Sequence, residues 1–144
     1  MDKIDQTILK ELESDGRLSI VELATRVNLT NTPCSERVKR LERAGYISGY
    51  RAILNMGKLG LGHLTVVQVS LAATAGNNSL DVFSEAVRKV PEIESCLMVA
   101  GSFDYLLTVR TRDIAHFRQV LGNKINNLPG IRHTNSFAVM ENVK

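Results

Sequence analysis

Basic side chains that could bind a polyanion are concentrated between residues 31 and 51. This stretch carries five lysine or arginine residues against two acidic residues, and its net charge of +3 equals that of the whole chain. The basic residues are Arg37, Lys39, Arg40, Arg43 and Arg51, and the acidic ones are Glu36 and Glu42. Lysine and arginine bind phosphate oxygens, so a local basic excess favours a nucleic-acid contact. The alternative is a core helix whose charged back simply faces water.

A second group of residues with chemical potential is the segment "AGSFDYLL" at 100–107. Gly101 permits the unusual backbone angles of a tight hairpin, and Asp104 follows three residues later. The Asp104 carboxylate has two open interpretations, since it can accept hydrogen bonds from the hairpin backbone or bind an ammonium group. In the second case, backbone N–H groups near Gly101 would hold a carboxylate. A free α-amino acid presents both charges and is the predicted ligand of such a site.

Two capped helices are predicted before the basic stretch. Asp2 is a suitable N-cap for the first helix, and Gly16 is a suitable end. Ser19 and Glu22 form a capping box for the second helix, which Asn28 ends soon afterwards. The first helix has a continuous apolar face, made by Ile4, Ile8, Leu9 and Leu12.

A third helix is predicted at 31–44, inside the basic stretch. Thr32 would be its N-cap and Pro33 its first residue, and Gly45 would stop it. A short helix, a tight turn and a capped second helix are the elements of a helix-turn-helix, whose second helix lies in the major groove of DNA. The residues predicted to face the core are Cys34, Val38 and Leu41.

The exposed residues of this helix would divide between bases and phosphates. Residues near the N-terminal end meet base edges, and basic residues behind them contact the DNA backbone. The alternating segment "YISGYRAIL" at 46–54 favours a strand or small wing, which would bring Arg51 to the backbone too. The predicted base-facing residues are Asn31, Thr32, Ser35, Glu36 and Lys39. The predicted phosphate contacts on the helix are Arg37, Arg40 and Arg43.

The remainder of the chain repeats one strand–helix–strand unit. "HLTVVQVSLAAT" and "IESCLMVAG" are predicted strands around a helix that Asn78 or Ser79 caps and Pro91 ends. "FDYLLTVRT" and "IRHTNSFAVM" are a second pair, around a helix that Asp113 caps and Pro129 ends. The predicted apolar faces of the two helices are Val82, Phe83, Ala86, Val87 and Val90, and then Ile114, Phe117, Leu121 and Ile125.

This order of elements predicts an α+β fold. An N-terminal helix-turn-helix (winged-helix-like) domain, 1–50, would be joined by a linker or hinge, 51–62, to a ferredoxin-like βαββαβ sandwich, 63–144. Both helices of the sandwich would cover one face of a four-stranded antiparallel sheet. The strands are apolar on both alternations, as in "LTVVQVSL". We therefore expect a second copy of the chain to cover the other face in a homodimer.

Several other classes of protein find no support in the residues. Cys34 and Cys96 match no metal or disulfide pattern, which favours a reducing compartment and a core role for Cys34. No nucleotide-binding, hydrolase or metalloprotease motif occurs, so we expect no enzyme activity, no metal and no cofactor. An RNA-binding sheet would need aromatic residues that "FDYLLTVRT" does not supply. With no leader peptide and no membrane-length apolar run, the expected location is the cytoplasm, away from membranes.

Long motifs in both halves resemble one family. "TPCSERVKRLERAGYISGY" is similar to the DNA-binding half of Lrp/AsnC (leucine-responsive, or feast/famine) regulators, and "GSFDYLL" is similar to their effector hairpin. The resemblance covers nearly the whole chain, and the second motif favours the leucine-responsive branch. Asn31 and Ser35 differ from the proline and leucine that close relatives often carry, so these positions can change the choice of operator.

The resemblance implies a transcriptional regulator that binds double-stranded DNA. Dimers in this family assemble further, often into octamers, and amino acids bound between dimers change assembly or DNA affinity. Leucine is the first expected effector and methionine the second. An amino-acid-binding regulatory subunit that acts on an enzyme is the alternative function. The effector residues carried over from the family are Gly101, Ser102, Phe103, Asp104 and Tyr105 in the hairpin, and Thr134 and Ser136 in the last strand.

Overall fold

The computed structural model describes residues 1–73 and 78–144, which form two compact units, Met1–Leu54 and Asn55–Lys144. The first unit contains the helices α1 (Lys3–Ser14), α2 (Ile20–Arg26) and α3 (Asn31–Arg43). The second contains β1 (His63–Leu71), α4 (Ser79–Arg88), β2 (Ile93–Met98), β3 (Tyr105–Thr111), α5 (Ile114–Val120) and β4 (Ile131–Ala138). The predicted βαββαβ order is confirmed.

The three helices of the first unit pack around one core, and local chemistry fixes where two of them start. The Asp2 side chain accepts from the Asp5 N–H at the start of α1, and the Ser19 side chain accepts from the Glu22 N–H at the start of α2. Both caps are complete capping boxes, because the reciprocal bonds are also present. The buried core residues are Ile8, Leu23, Ala24, Val27, Cys34, Val38 and Leu41.

Two helix ends differ from prediction. The helix α1 ends at Ser14, and Gly16 does not adopt the left-handed conformation of a glycine stop. At the start of α3, Thr30 rather than Thr32 occupies the N-cap, and it makes no side-chain cap bond. Pro33 is therefore the third helical residue, where a missing N–H still costs nothing because first-turn N–H groups have no helical partner. Gly45, with φ of 77°, ends α3 as predicted.

The predicted wing strand at 46–54 is wrong for the single chain. All nine residues are described, and none is in a strand. The N–H groups of Tyr46 and Ile47 instead bond to the Leu41 carbonyl, which closes the end of α3. A strand requires a partner for its backbone, and the residues that follow have none in this unit.

The second unit is a four-stranded antiparallel sheet in the order β2-β3-β1-β4. The central strands pair with Val67 opposite Leu107 and Val69 opposite Tyr105. On the other side of β1, Val69 lies opposite Thr134. The ferredoxin-like prediction is confirmed. The C-terminal end of β1 and the N-terminal ends of β3 and β4 lie at the same end of the sheet.

The helices α4 and α5 cover one face of this sheet. Val82 and Ile114 were predicted on the apolar faces of these helices, but both are exposed. Phe83 and Phe117, predicted on the same faces, do fill the interior. After Val120, α5 continues as a π-helical turn, Leu121–Ile125, and Ile125 is fully buried. The buried core residues are Val67, Val69, Phe83, Val87, Tyr105, Leu107, Val109, Phe117, Val120, Ile125 and Leu128.

The opposite face of the sheet is apolar near its middle. Within the described ranges no helix covers it, since both helices pack on the other side. Its side chains are half-buried or exposed, and they include Leu64, Val66, Leu97, Leu106 and Phe137. A surface of this kind supports the expectation of a covering partner.

Candidate functional sites

The helix α3 presents most of the predicted DNA-contacting residues to solvent. Ser35 and Arg37 are half-buried, and Arg51, beyond the helix, is exposed. A surface hollow of about 520 Å³ runs along the basic side of the helix. It is lined by Pro33, Glu36, Arg37, Lys39, Arg40 and Arg43. The exposed helix residues among those predicted are Asn31, Thr32, Glu36, Lys39, Arg40 and Arg43.

Two of the four basic side chains of α3 are bound by carboxylates from the start of α1. The Arg37 Nη1 lies 2.7 Å from Asp2 Oδ2 and 2.8 Å from Asp5 Oδ1. The Arg40 Nη2 lies 2.9 and 2.8 Å from the two Asp5 oxygens. Asp5 is only 3% exposed, so its charge requires these partners.

These contacts set the ionisation of the acidic pair. Burial by itself raises the pKa of Asp5, but hydrogen bonds from Arg37 and the Asp2 backbone outweigh it, so the pKa lies below its usual value. The pKa of Asp2 is lowered by the Asp5 backbone N–H and by Arg37. Both carboxylates are therefore ionised at neutral pH.

Arg37 and Arg40 are both predicted phosphate contacts, and both have carboxylate partners. Arg37 is the more enclosed of the two, whereas the Arg40 side chain stays largely exposed. Asp5 is the residue that sequence reasoning missed. A signal for it was present, since Asp5 lies one helical turn before Ile8 on the buried side of α1. An acidic residue on the apolar face of a helix requires a cation from elsewhere in the fold.

The effector hairpin is tied to the end of β1 by Asp104. The Asp104 N–H donates to the Val69 carbonyl, and Asp104 Oδ2 accepts from the Leu71 N–H at 2.7 Å. The carboxylate therefore supports the loop through a neighbouring strand, not through the local hairpin turn that one interpretation predicted. Its other oxygen, Oδ1, makes no hydrogen bond to the described residues.

The loop itself is open to solvent at its tip. Gly101, Ser102 and Asp104 are exposed, and Phe103 is half-buried. Gly101 does not have a positive φ, so the predicted glycine-specific backbone angle is wrong. A Cβ at Gly101 would meet nothing within 4 Å. The N–H groups of Gly101, Ser102 and Phe103 donate to no other described residue, which leaves donors for an anionic group.

The structure brings some, but not all, of the other effector residues to this loop. Thr134 lies opposite Val69, the residue whose carbonyl Asp104 bonds, so both lie at the same end of the sheet. Ser136 is two residues further along β4. Tyr105 belongs to the core instead: it is 2% exposed and stacks on Phe83 at 4.5 Å between ring centroids. In the single chain its ring therefore does not line the open loop.

Two other kinds of site are absent from the described ranges. No three His, Cys, Asp or Glu side chains among these residues lie close enough to hold a metal ion. No helix there has the length and apolar character to cross a bilayer.

Comparisons with known proteins match both halves of the chain. Residues 65–144 match the model of the Lrp/AsnC ligand binding domain, and residues 1–48 match the model of a winged helix-turn-helix DNA-binding domain. The whole chain is 49% identical to the proline dehydrogenase transcriptional activator of Rhizobium radiobacter, over 92% of that protein. It is 46% identical over its whole length to the leucine-responsive regulatory protein of Escherichia coli (strain K12), over 87% of that protein.

A solved structure of a transcriptional regulator also matches the whole chain. A transcriptional regulator of Neisseria meningitidis, determined as a complex with L-methionine, is 34% identical and superposes with a TM-score of 0.95. The match covers 100% of this chain and 92% of that one. The relatives are transcriptional regulators rather than enzymes. The chain belongs to the Lrp/AsnC family of DNA-binding transcriptional regulators with an amino-acid-binding domain.

Proposed function

We propose that this protein is a sequence-specific transcriptional regulator whose DNA binding and assembly respond to a free amino acid. The observation that carries the proposal is the pairing, in one chain, of a helix-turn-helix with an Lrp/AsnC ligand binding domain. Those two parts perform DNA recognition and sensing, respectively. The alternative, a regulatory subunit acting on an enzyme, gives no reason for the exposed basic side of α3.

DNA recognition is assigned to α3. The base-facing residues are those exposed near its N-terminal end, and the phosphate contacts are the basic residues behind them. Arg37 is not included among the proposed phosphate contacts, because two carboxylates already bind it. The proposed base contacts are Asn31, Thr32, Ser35, Glu36 and Lys39, and the proposed phosphate contacts are Arg40, Arg43 and Arg51.

Sensing is assigned to the loop between β2 and β3. The free N–H groups there suit the carboxylate of an amino acid, and Asp104 Oδ1 suits its ammonium group. Thr134 lies at the same end of the sheet and can contribute a hydroxyl. Ser136 and Tyr105 would act only as supporting residues.

The identity of the effector rests on relatives. Leucine is the first candidate, from the name of the Escherichia coli relative, and methionine is the second, from the Neisseria meningitidis complex. Proline is a third candidate because the Rhizobium radiobacter relative is a proline dehydrogenase activator. We further propose a homodimer that covers the apolar sheet face and assembles further, as far as an octamer, in the cytoplasm.

Two experiments test the proposal together. A thermal-shift screen with the twenty amino acids requires no operator, because a ligand that binds the folded state raises the melting temperature. A mobility-shift titration with the DNA upstream of its own gene then tests the proposed DNA binding. Cooperative, salt-sensitive binding that the stabilising amino acid alters supports the regulator. No DNA binding at low salt contradicts it and favours the enzyme-subunit alternative.

A further inference from the structure

We propose that Asp5 controls the DNA affinity of α3 by withholding Arg37 from phosphates and fixing the orientation of Arg40. Asp5 is then a positioning residue, since it acts on DNA only through the two arginines. This inference rests on the DNA contact of α3 proposed above. It adds a regulator of that contact that lies outside the helix-turn-helix pair, at the start of α1.

Arg37 is not available to a phosphate in this arrangement. Its Nη1 is within 2.8 Å of both Asp2 and Asp5, and its side chain is only 23% exposed. A phosphate that took Nη1 would have to displace two carboxylates, one of which is buried. Asp5 would then keep Arg40 but lose one of its two cationic partners, and weakening the pairing of a buried charge is costly, so the exchange is unfavourable.

Arg40 is bound by one carboxylate and is more exposed. Like Arg37 it uses a single nitrogen, here Nη2, but Asp5 is its one acidic partner among the described residues, and its side chain is 56% exposed. A guanidinium group has five N–H donors in a fixed plane, and those on Nε and Nη1 have no partner among the described residues. Asp5 therefore fixes the plane of Arg40 while leaving donors that can reach a phosphate.

The acidic pair also changes the charge of the DNA-facing surface. The stretch from 31 to 51 has five basic and two acidic residues, and adding Asp2 and Asp5 gives five against four. Its net charge falls from +3 to +1. Binding to random DNA depends on such charges, whereas base contacts supply the discrimination between sequences. Withholding Arg37 thus lowers affinity for random DNA and leaves the choice of site to the base-facing residues.

The test is Asp5→Asn in the full chain, measured on random DNA and on the DNA upstream of its own gene. Each freed arginine that binds a phosphate steepens the slope of log K against log salt by about 0.9. We expect the slope on random DNA to steepen by about 0.9, because Arg40 already contacts a phosphate and only Arg37 is newly freed from Asp5. Affinity should then fall by roughly 3.5-fold more than for the wild type between 50 and 200 mM salt, and specificity should drop.

The matched control is Glu85→Gln, which makes the same change in net charge at an exposed position on α4. It should leave the slope unchanged. If Asp5→Asn folds and its slope equals that of the wild type, Asp5 has a structural role only and the inference is wrong. If the wild type itself shows no salt-dependent DNA binding, the proposed function fails as well, so the two failures are distinguishable.

A second variant keeps the test decisive if Asp5→Asn does not fold. Arg37→Met retains most of the aliphatic stem and removes only the charge. Because Arg37 contacts no phosphate in this account, the slope should stay at the wild-type value. A slope shallower by about 0.9 would mean that Arg37 does bind DNA, and would overturn the inference.

Discussion

The helix α3 and the β2–β3 loop hold their charged side chains in different ways. In α3, Arg37 and Arg40 are bound by carboxylates from another helix, so both partners are ionised side chains. In the loop, Asp104 is bound by the backbone N–H of Leu71. A backbone donor has a position set by the register of the sheet, whereas a side-chain partner can rotate away.

This difference separates two roles for a charge. The ion pairs of α3 can be weakened by salt, acid or substitution, and the arginines can then reach phosphates. The Asp104 carboxylate has one oxygen committed to the fold and one available to a ligand. The availability of the arginines of α3 is therefore adjustable. The loop is a fixed site, because Asp104 both sets its shape and binds the ligand.

The largest effect on stability is expected from substitutions in the two separate hydrophobic cores. Phe83→Ala removes a fully buried ring and should destabilise the sandwich unit by about 3–5 kcal/mol. Ile8→Ala should destabilise the helical unit by about 2–5 kcal/mol. Hydrogen exchange measured for each unit checks this prediction. Equal loss of protection in both units from either substitution would show that the two cores are not separate.

The second effect concerns the double role of Asp104. Asp104→Ala should abolish the amino-acid response and also cost about 0.5–1.5 kcal/mol of sandwich stability, because Leu71 loses its acceptor at a solvent-exposed position. Asp104→Asn keeps an oxygen that can accept from Leu71 but loses the charge. It should recover most of the stability and none of the response. Calorimetric titration with leucine and methionine is the measurement, and an unchanged titration for the Ala variant would reject the sensing role.

The third effect separates the unpaired cations that are proposed to contact phosphates from the paired ones. Arg43 and Arg51 have no ion-pair partner among the described residues, so replacing both by alanine should weaken binding to all DNA alike. The salt slope should become shallower by about 1.8. Arg40 is a poorer target because its loss also removes a partner of Asp5. A loss confined to one operator would mean that Arg43 and Arg51 read bases.

The smallest effect is the part of the pH dependence that arises in the helical unit. The pKa of Asp5, Asp2 and Glu22 is lower than usual in the folded state, so the unfolded chain binds more protons in the acid range. The stability these groups contribute is complete above their unfolded pKa values and is lost as the pH falls from about 5 toward their folded pKa values. Urea unfolding of the wild type and of Asp5→Asn across this range measures it. A variant as acid-sensitive as the wild type would contradict the assignment to Asp5.

Much of the fold was predictable because local chemistry determines it. The capping box at Ser19 and Glu22, the glycine stop at Gly45 and the alternation of the strands all form as expected. The absence of the predicted wing strand could not be foreseen, since the backbone of a strand needs a partner that one chain's sequence does not identify. Val82 and Ile114 lie at the margin of an apolar face, where helical spacing alone does not decide burial.

The sites were less predictable than the fold because they depend on contacts between distant residues. Arg37 and Asp5 are 32 positions apart, and Leu71 and Asp104 are 33 apart. Charge counting over a window finds the basic stretch but not the acids that neutralise it. Tyr105 was carried over from the family motif as an effector residue, but strand parity places its ring in the core against Phe83.

The most decisive measurement is a DNA titration of the full chain across 50 to 200 mM salt, with and without the amino acid that stabilises it. Affinity should fall linearly with salt on logarithmic axes, and adding the amino acid should change the affinity or the assembly. Binding that ignores salt, or DNA binding that no amino acid alters, would contradict the proposed function.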